Sequence, residues 1–131
     1  MSEKVELDRL LETAGGFGAV PMLLTTDDDG RPRASAVSLT WDGGTARVRA
    51  GHRSVANADR RPLVSLLWPA PPGDRFALLV DGEVVGTEHD PEPDAGPGTA
   101  GPGAGRRAKP GGFITVRSTS AILHVVGRPH G

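Results

Sequence analysis

Arginine is concentrated in one stretch, residues 45 to 69, which reads TARVRAGHRSVANADRRPLVSLLWP and contains no lysine. A guanidinium group offers a planar fork of donors, so such a cluster suits a phosphate or another anion. The alternative is a solvated sheet face, on which arginines need no ligand. The stretch therefore predicts either an anion site or an exposed polar surface. Its arginines are Arg47, Arg49, Arg53, Arg60 and Arg61.

Other recognisable catalytic groups are scarce. The chain has no cysteine, which excludes disulfides, thiolate metal sites and cysteine nucleophiles. Its four histidines are not spaced as metal ligands, so no metal site is expected, and neither a Gly-x-Ser-x-Gly elbow nor a phosphate loop occurs. Asp27, Asp28 and Asp29 fall in a turn, where bonding from side chain to backbone explains them better than acid/base catalysis. Catalytic residues stay unassigned, and any redox chemistry would need a cofactor.

Length and charge indicate one small, almost neutral domain. The chain has 131 residues and a formal net charge of -1, so no general basic field favours nucleic acid as a partner. The N-terminal stretch lacks the apolar core of a signal peptide, and no run of about 18 apolar residues occurs. We therefore expect a single domain over residues 1–131 that is cytoplasmic and contacts neither nucleic acid nor a membrane.

Hydrophobic periodicity predicts a mostly β fold with small helical additions. A helix is expected within residues 1–16, because Leu7, Leu10, Leu11 and Ala14 share one helical face, Ser2 could cap its start and Gly15-Gly16 would end it. A second short helix is expected over SVANADRR, ended by Pro62. Alternating or apolar runs predict strands. These runs are 19–26, 33–41, 45–51, 63–68, 75–89 (one strand, or two bent at Gly82) and 113–126.

Residues 90–112 differ in composition from the rest of the chain, since glycine and proline make up more than half of them. Such a segment cannot bury enough apolar area to offset its ordering entropy, so we expect a flexible loop. The stretch 113–126 is too short to fold alone and must return to the sheet. The expected fold is a six-stranded antiparallel barrel of mostly hairpin-connected strands.

The order of these motifs resembles the FMN-binding split barrel of the pyridoxamine 5'-phosphate oxidase family, of which this chain would be a short, divergent member. The resemblance covers most of residues 19–87 and 113–124. The shared order is a Gly-x-Pro turn, a small-residue strand, a second turn, a strand ending near a basic pair, and a helix with an asparagine before the next strand. The counterparts here are Gly30-Arg31-Pro32, Asp42-Gly43-Gly44, His52-Arg53-Ser54, Asn57 and Arg61-Pro62-Leu63-Val64-Ser65-Leu66.

The resemblance implies a homodimer with two shared FMN sites, in which strand 33–40, the end of the next strand and the following arginine hold the phosphate. Arg53 stands at the family arginine, whereas Ser54 stands at the family lysine and Thr40 at a position that is usually basic. The substrate-binding Arg-x-His of the true oxidases is absent, so pyridoxamine phosphate oxidation is not implied. The cofactor-binding residues implied by position are Arg33, Ser35, Ser38, Thr40, Ala50, Gly51, Arg53 and Ser54.

Three functions remain open at this point. The first is an FMN-binding oxidoreductase that moves a hydride or electrons through the flavin to a small-molecule substrate. The second is a reductase that uses a deazaflavin coenzyme on the same fold. The third is a cofactor-free dimeric binding module, because a fold does not fix a function.

Overall fold

Eight strands and two short helices make up the part of the chain that the structure, a computed structural model, describes, which is residues 2–91, 110–125 and 127. None of the helices in this part is long and apolar enough to cross a membrane. In chain order the elements are β1 (Ser2–Lys4), a 3-10 turn (Leu7–Arg9), α1 (Leu10–Gly15), β2 (Met22–Thr26), β3 (Pro32–Ala36), β4 (Ser38–Asp42), β5 (Thr45–Ala50), α2 (His52–Arg60), β6 (Leu63–Trp68), β7 (Phe76–His89) and β8 (Gly112–Val125).

The strands form one antiparallel sheet in the order β3-β2-β6-β7-β8-β5-β4, and β1 pairs with β8 beside this path. β7 and β8 pair along their whole length, from Phe76 opposite Val125 to His89 opposite Gly112. β3 and β4 follow each other in the chain but lie at opposite ends of the order, so the sheet curls and stays open between them. The predicted mostly β, antiparallel split barrel is confirmed, with eight strands in place of six.

One additional strand arises because residues 33–41 do not form a single strand. The run divides at Val37, which is buried and donates its backbone N–H to the carbonyl of Pro21 at 3.1 Å. Before this point β3 pairs with β2, and after it β4 pairs with β5. The division thus moves the chain from one edge of the sheet to the other.

The other additional strand lies where the sequence predicts the start of a helix. Ser2 lies opposite His124 in the β1–β8 ladder, so it does not cap a helix. The helix that does form, α1, has six residues and ends at the expected Gly15. Leu10 is buried, but Leu7 and Leu11 are each 41% exposed. Because short helices are marginal without tertiary contacts, the free edge of β8 is the better partner for the first residues.

The core lies inside the curled sheet and is closed at one end by α2, whose Val55 and Ala58 are buried. Trp68 is buried at the end of β6, donates its indole N–H to the carbonyl of Gly18 at 2.8 Å, and stacks on the partly buried Trp41 with ring centroids 6.1 Å apart. Both tryptophans therefore serve the core of this chain.

The flexible loop expected over 90–112 lies mostly outside the described residues. Its two described ends meet, since the N–H of Asp90 donates to the carbonyl of Gly111 at 2.9 Å. The returning strand, β8, begins at Gly112, one residue before the expected start.

Gly82 lies where β7 and β8 approach so closely that no larger residue fits. A Cβ at this position would be 2.4 Å from Cγ1 of Val116 and 3.0 Å from the carbonyl oxygen of Arg117. We expect Gly82→Ala to lower the free energy of unfolding by about 1–3 kcal/mol, the usual cost of overpacking. Gly86→Ala is the matched control, because a Cβ at Gly86 in the same strand meets nothing within 4 Å. Urea unfolding compares the two, and equal losses of stability would contradict the close approach.

Candidate cofactor-binding site

The first turn of α2 presents backbone N–H groups at one end of the barrel. The helix follows β5 directly, and the extended residue Gly51 is its N-cap, with no side chain to satisfy the free N–H groups. The carbonyl of Gly51 accepts the N–H of Val55 at 3.1 Å, so the preceding N–H groups have no partner within the helix. Such a helix start carries partial positive charge and favours an anion.

Two serine hydroxyls meet beside this helix start. Ser35 of β3 and Ser54 of α2 have their Oγ atoms 3.1 Å apart, and Ser54 is 8% exposed. Two hydroxyls that share one hydrogen bond keep one further hydrogen and several lone pairs for a ligand. The adjoining Arg53 is exposed. Ser35 and Ser54 are therefore brought together, and Arg53 adjoins Ser54 in the first turn of α2.

One helical turn further along α2, a partly buried polar network continues from the serine pair. Asn57 donates through Nδ2 to Oδ1 of Asp27 at 2.8 Å and to Oγ1 of Thr25 at 3.2 Å. Arg33 donates through Nε to the other carboxylate oxygen of Asp27. These bonds, the one from Arg33 first, hold the pKa of Asp27 below its usual value, and the charge of Arg53 adds to the effect. Asn57 thus has a structural role, and Arg33 is engaged by a carboxylate.

A cavity of about 470 Å³ opens beside the Asp27 network, between the turn after β2 and α2. Its walls carry three carboxylates and three guanidinium groups, so their formal charges cancel. Asp28 accepts bonds from Arg60 and from Arg61, the latter at 2.8 Å. Arg53 is the one guanidinium of the cavity that has no carboxylate within 4 Å in the described part of the chain. The residues lining the cavity are Asp27, Asp28, Asp29, Arg33, His52, Arg53, Ala56, Asn57 and Arg60.

Of the predicted site residues, Arg33 and Arg53 line this cavity, whereas Ser35 and Ser54 do not, and the others lie elsewhere. Ser38 and Thr40 of β4 line a different and smaller cavity, of about 120 Å³, together with Phe113 and two arginines of β5. Arg47 lies opposite Thr40 and places its guanidinium 3.7 Å from the centre of the Phe113 ring. The division at Val37 separates the two groups, because β4 has changed its pairing partner. Ala50, which is buried, and Gly51 connect the end of β5 to α2.

Asp27 and Asp28 are the site residues that the sequence did not reveal. Only Asp29 behaves as a simple turn residue, with Oδ1 accepting the backbone N–H of Arg31 at 3.0 Å. The available signal was that three successive carboxylates precede an arginine-rich stretch in a nearly neutral chain. Among the described residues, no group of three or more potential ligands could hold a metal ion.

Comparison with known proteins supports the fold. No family model and no curated protein matches the chain, but solved structures do. An F420 reductase is 24% identical, with a TM-score of 0.56 over 79% of this chain and 88% of its own. A putative pyridoxamine 5'-phosphate oxidase from Listeria innocua is 17% identical, with a TM-score of 0.58 over 90% and 98%. An FMN-binding protein from Syntrophomonas wolfei is 14% identical, with a TM-score of 0.61 over 93% and 91%.

These likenesses define the class of fold. The chain has the split-barrel fold shared by pyridoxamine 5'-phosphate oxidase-like and FMN-binding structures, as the sequence resemblance predicts.

Asp27 should make the stability of the fold depend on pH. Its pKa is lowered in the folded chain, so folding stabilises the deprotonated carboxylate. This stabilisation is present above the unfolded pKa of about 4 and is lost as the pH falls through the lower folded pKa. We expect the melting temperature of the wild type to fall more steeply below about pH 5 than that of Asp27→Asn. Thermal unfolding followed by circular dichroism at stepped pH tests this.

The control for this prediction is Asp42→Asn, which removes an exposed carboxylate that makes no side-chain bond in the described structure. It should keep the steep pH dependence of the wild type. If Asp27→Asn keeps that dependence as well, the bonds from Arg33 and Asn57 do not stabilise the carboxylate.

Proposed function

We propose that this protein is a homodimeric oxidoreductase that binds FMN or a deazaflavin coenzyme and transfers a hydride or electrons to a small-molecule substrate. The observation that carries the proposal is the cluster of Arg53, Ser35 and Ser54 at the start of α2. It occurs in a fold that the chain shares with FMN-binding structures.

The donors of this cluster suit the phosphate of such a cofactor. Phosphate oxygens accept hydrogen bonds, and the cluster offers a guanidinium without a described carboxylate partner, a hydroxyl pair and the N–H groups of a helix start. When bound, the ring system would supply the redox chemistry, while the chain's own groups bind and orient it. The proposed roles are charge pairing for Arg53 and hydrogen bonding for Ser35 and Ser54.

The proposal includes two cofactors, FMN and a deazaflavin coenzyme, and different observations favour each. The F420 reductase has a higher identity to this chain than the two other structures named above, which favours a deazaflavin coenzyme. The neutral residues Ser54 and Thr40, at positions where the resembling family has basic residues, favour weak binding of a doubly charged phosphate. FMN is nevertheless the first ligand to test, because the chain shares its fold with FMN-binding structures, and a deazaflavin coenzyme is the second.

Arg53→Ala should weaken FMN binding by more than about tenfold, because hydrogen bonds to a charged group contribute about 1.5–3 kcal/mol. The fold should survive, since the Arg53 side chain is exposed. Arg75→Ala is the control, because it also removes an exposed arginine. Arg75 lies just before Phe76, the first residue of β7, and does not line the cavity that contains Arg53. Titration of FMN fluorescence compares the three proteins.

Two results of that titration would count against parts of the proposal. Equal FMN affinities for the wild type and Arg53→Ala would show that the phosphate is held elsewhere. A wild-type protein that is colourless as purified and binds neither FMN nor a deazaflavin coenzyme would be a cofactor-free binding module.

Exposed apolar and edge surfaces support the proposed homodimer. In the described part of the chain, β3 and β4 lie at the two ends of the strand order and have free edges, and such edges are usually covered in stable proteins. Among the described residues, the large apolar side chains that are more than half exposed are Val20, Leu63 and Val85, at 65%, 75% and 56%. We expect sedimentation at micromolar concentration to give twice the chain mass of 13.6 kDa, with two-fold symmetry the simplest arrangement. A single species of chain mass would reject the homodimer.

A further inference from the structure

The carboxylate of Asp27 lies one step away from the serine pair of the proposed phosphate site. Ser35 and Arg33 are two residues apart on β3, so their side chains leave the same face about 7 Å apart. Ser54 and Asn57 are three residues apart on α2 and are neighbours on the helix surface. Arg33 and Asn57 both bond Asp27. The serine pair and the Asp27 network are thus neighbouring sets of contacts between β3 and α2.

Asp27 neutralises, by ion pairing with Arg33, one of the two positive charges near the proposed phosphate position. Arg33 and Arg53 each carry one positive charge near the serine pair, and Asp27 carries one negative charge. The ion pair keeps both partners charged, because the pKa of Asp27 is lowered and that of Arg33 is raised. The three side chains together therefore carry one net positive charge.

The charge of the ligand then decides how well it fits. The phosphate monoester of FMN carries close to two negative charges at neutral pH, since its second pKa is about 6. A phosphodiester carries one. We infer that Asp27 is a specificity-determining residue, which shifts the preference of this anion site from a doubly charged phosphate monoester towards a singly charged phosphodiester. The inference rests on the proposed function, because it assumes that a flavin-type cofactor occupies the site.

The other two carboxylates of the cavity do not have the same effect. Asp28 is bonded by two arginines, Arg60 and Arg61, which more than balance its charge. Asp29 is exposed and lies 3.6 Å from Arg31, at the tip of the turn. Asp27 alone engages an arginine of β3, the strand that also carries Ser35.

Three ligands with the same ring but different charge test the inference. Riboflavin has no phosphate, riboflavin cyclic 4′,5′-phosphate is a singly charged diester, and FMN is a nearly doubly charged monoester. In Asp27→Asn we expect unchanged riboflavin affinity, about threefold tighter binding of the cyclic diester and about tenfold tighter binding of FMN. Removing the charge of Asp27 changes the binding free energy of a dianion about twice as much as that of a monoanion. The fold-change in FMN affinity is therefore about the square of the fold-change for the cyclic diester.

Two further variants keep the test decisive. Arg33→Gln removes a positive charge from the same network, so FMN should bind about tenfold and the cyclic diester about threefold more weakly. This variant decides the question if Asp27→Asn does not fold. Asp42→Asn removes the same charge at the end of β4, where Asp42 pairs with the first residue of β5 and is therefore a strand length away from Gly51. It should change no affinity by more than about twofold. The differences in FMN and cyclic diester affinity between the wild type and these variants should become smaller at high salt, because exposed charges are screened.

The outcomes separate this inference from the proposed function. A graded change, zero for riboflavin and largest for FMN, supports it. An equal change for all three ligands would mean that Asp27 acts through the structure of the site, which overturns the inference and leaves the proposed function standing. If the wild type and the Asp27 and Arg33 variants all bind none of the three flavins, this specificity role is overturned. The proposed function then fails as well if a deazaflavin coenzyme also does not bind.

Discussion

The pairing of β7 with β8 along fourteen residues each is the constraint on which the rest of the fold depends. β6 adds to the free side of β7, and β5 and β1 add to β8. Register shifts at Asp81/Gly82 and Val84/Gly86 interrupt this ladder, and such bulges increase the local twist that lets a sheet curl. Because β5 and β6 lie on opposite sides of the pair, the segment between them must cross it, and that segment is α2.

The crossing of α2 determines where polar groups can meet. The helix begins at the end of β5, contacts β7, β8 and β2, and delivers the chain to β6. Its first turn consequently faces β3, which is paired to β2, and so Ser54 meets Ser35. The same geometry brings Asn57 to the turn after β2 and its Asp27. A site assembled in this way depends on helix position more than on any one strand.

The alternation of buried and exposed residues could be predicted from the sequence, whereas the strand with which each strand pairs could not. Residues 63–68 and the helix before Pro62 were predictable because their apolar spacing and the proline are local signals. The division at Val37 left no such signal, since Val37 and Leu39 both point inwards and the alternation runs on across the break. β1 consists of three exposed residues and is held by backbone pairing. The family resemblance predicted Arg53 and Ser54 as site residues, and that stays a prediction. The Asp27 network joins residues 6 and 30 positions apart, which no local pattern could indicate.

Most arginines of the arginine-rich stretch lie on a solvated surface, and an anion site is proposed for one of them. Four of its five arginines form ion pairs with carboxylates of this chain. All four are more than a third exposed, and such pairs contribute about 0–1 kcal/mol each, so they make the surface nearly neutral without adding much stability. The remaining one, Arg53, has no such pair in the described residues and stands at a helix start beside two hydroxyls. Under the proposed function, Arg53 is the arginine of this stretch that is left to pair with an anion, at the place where β3, β5 and α2 meet.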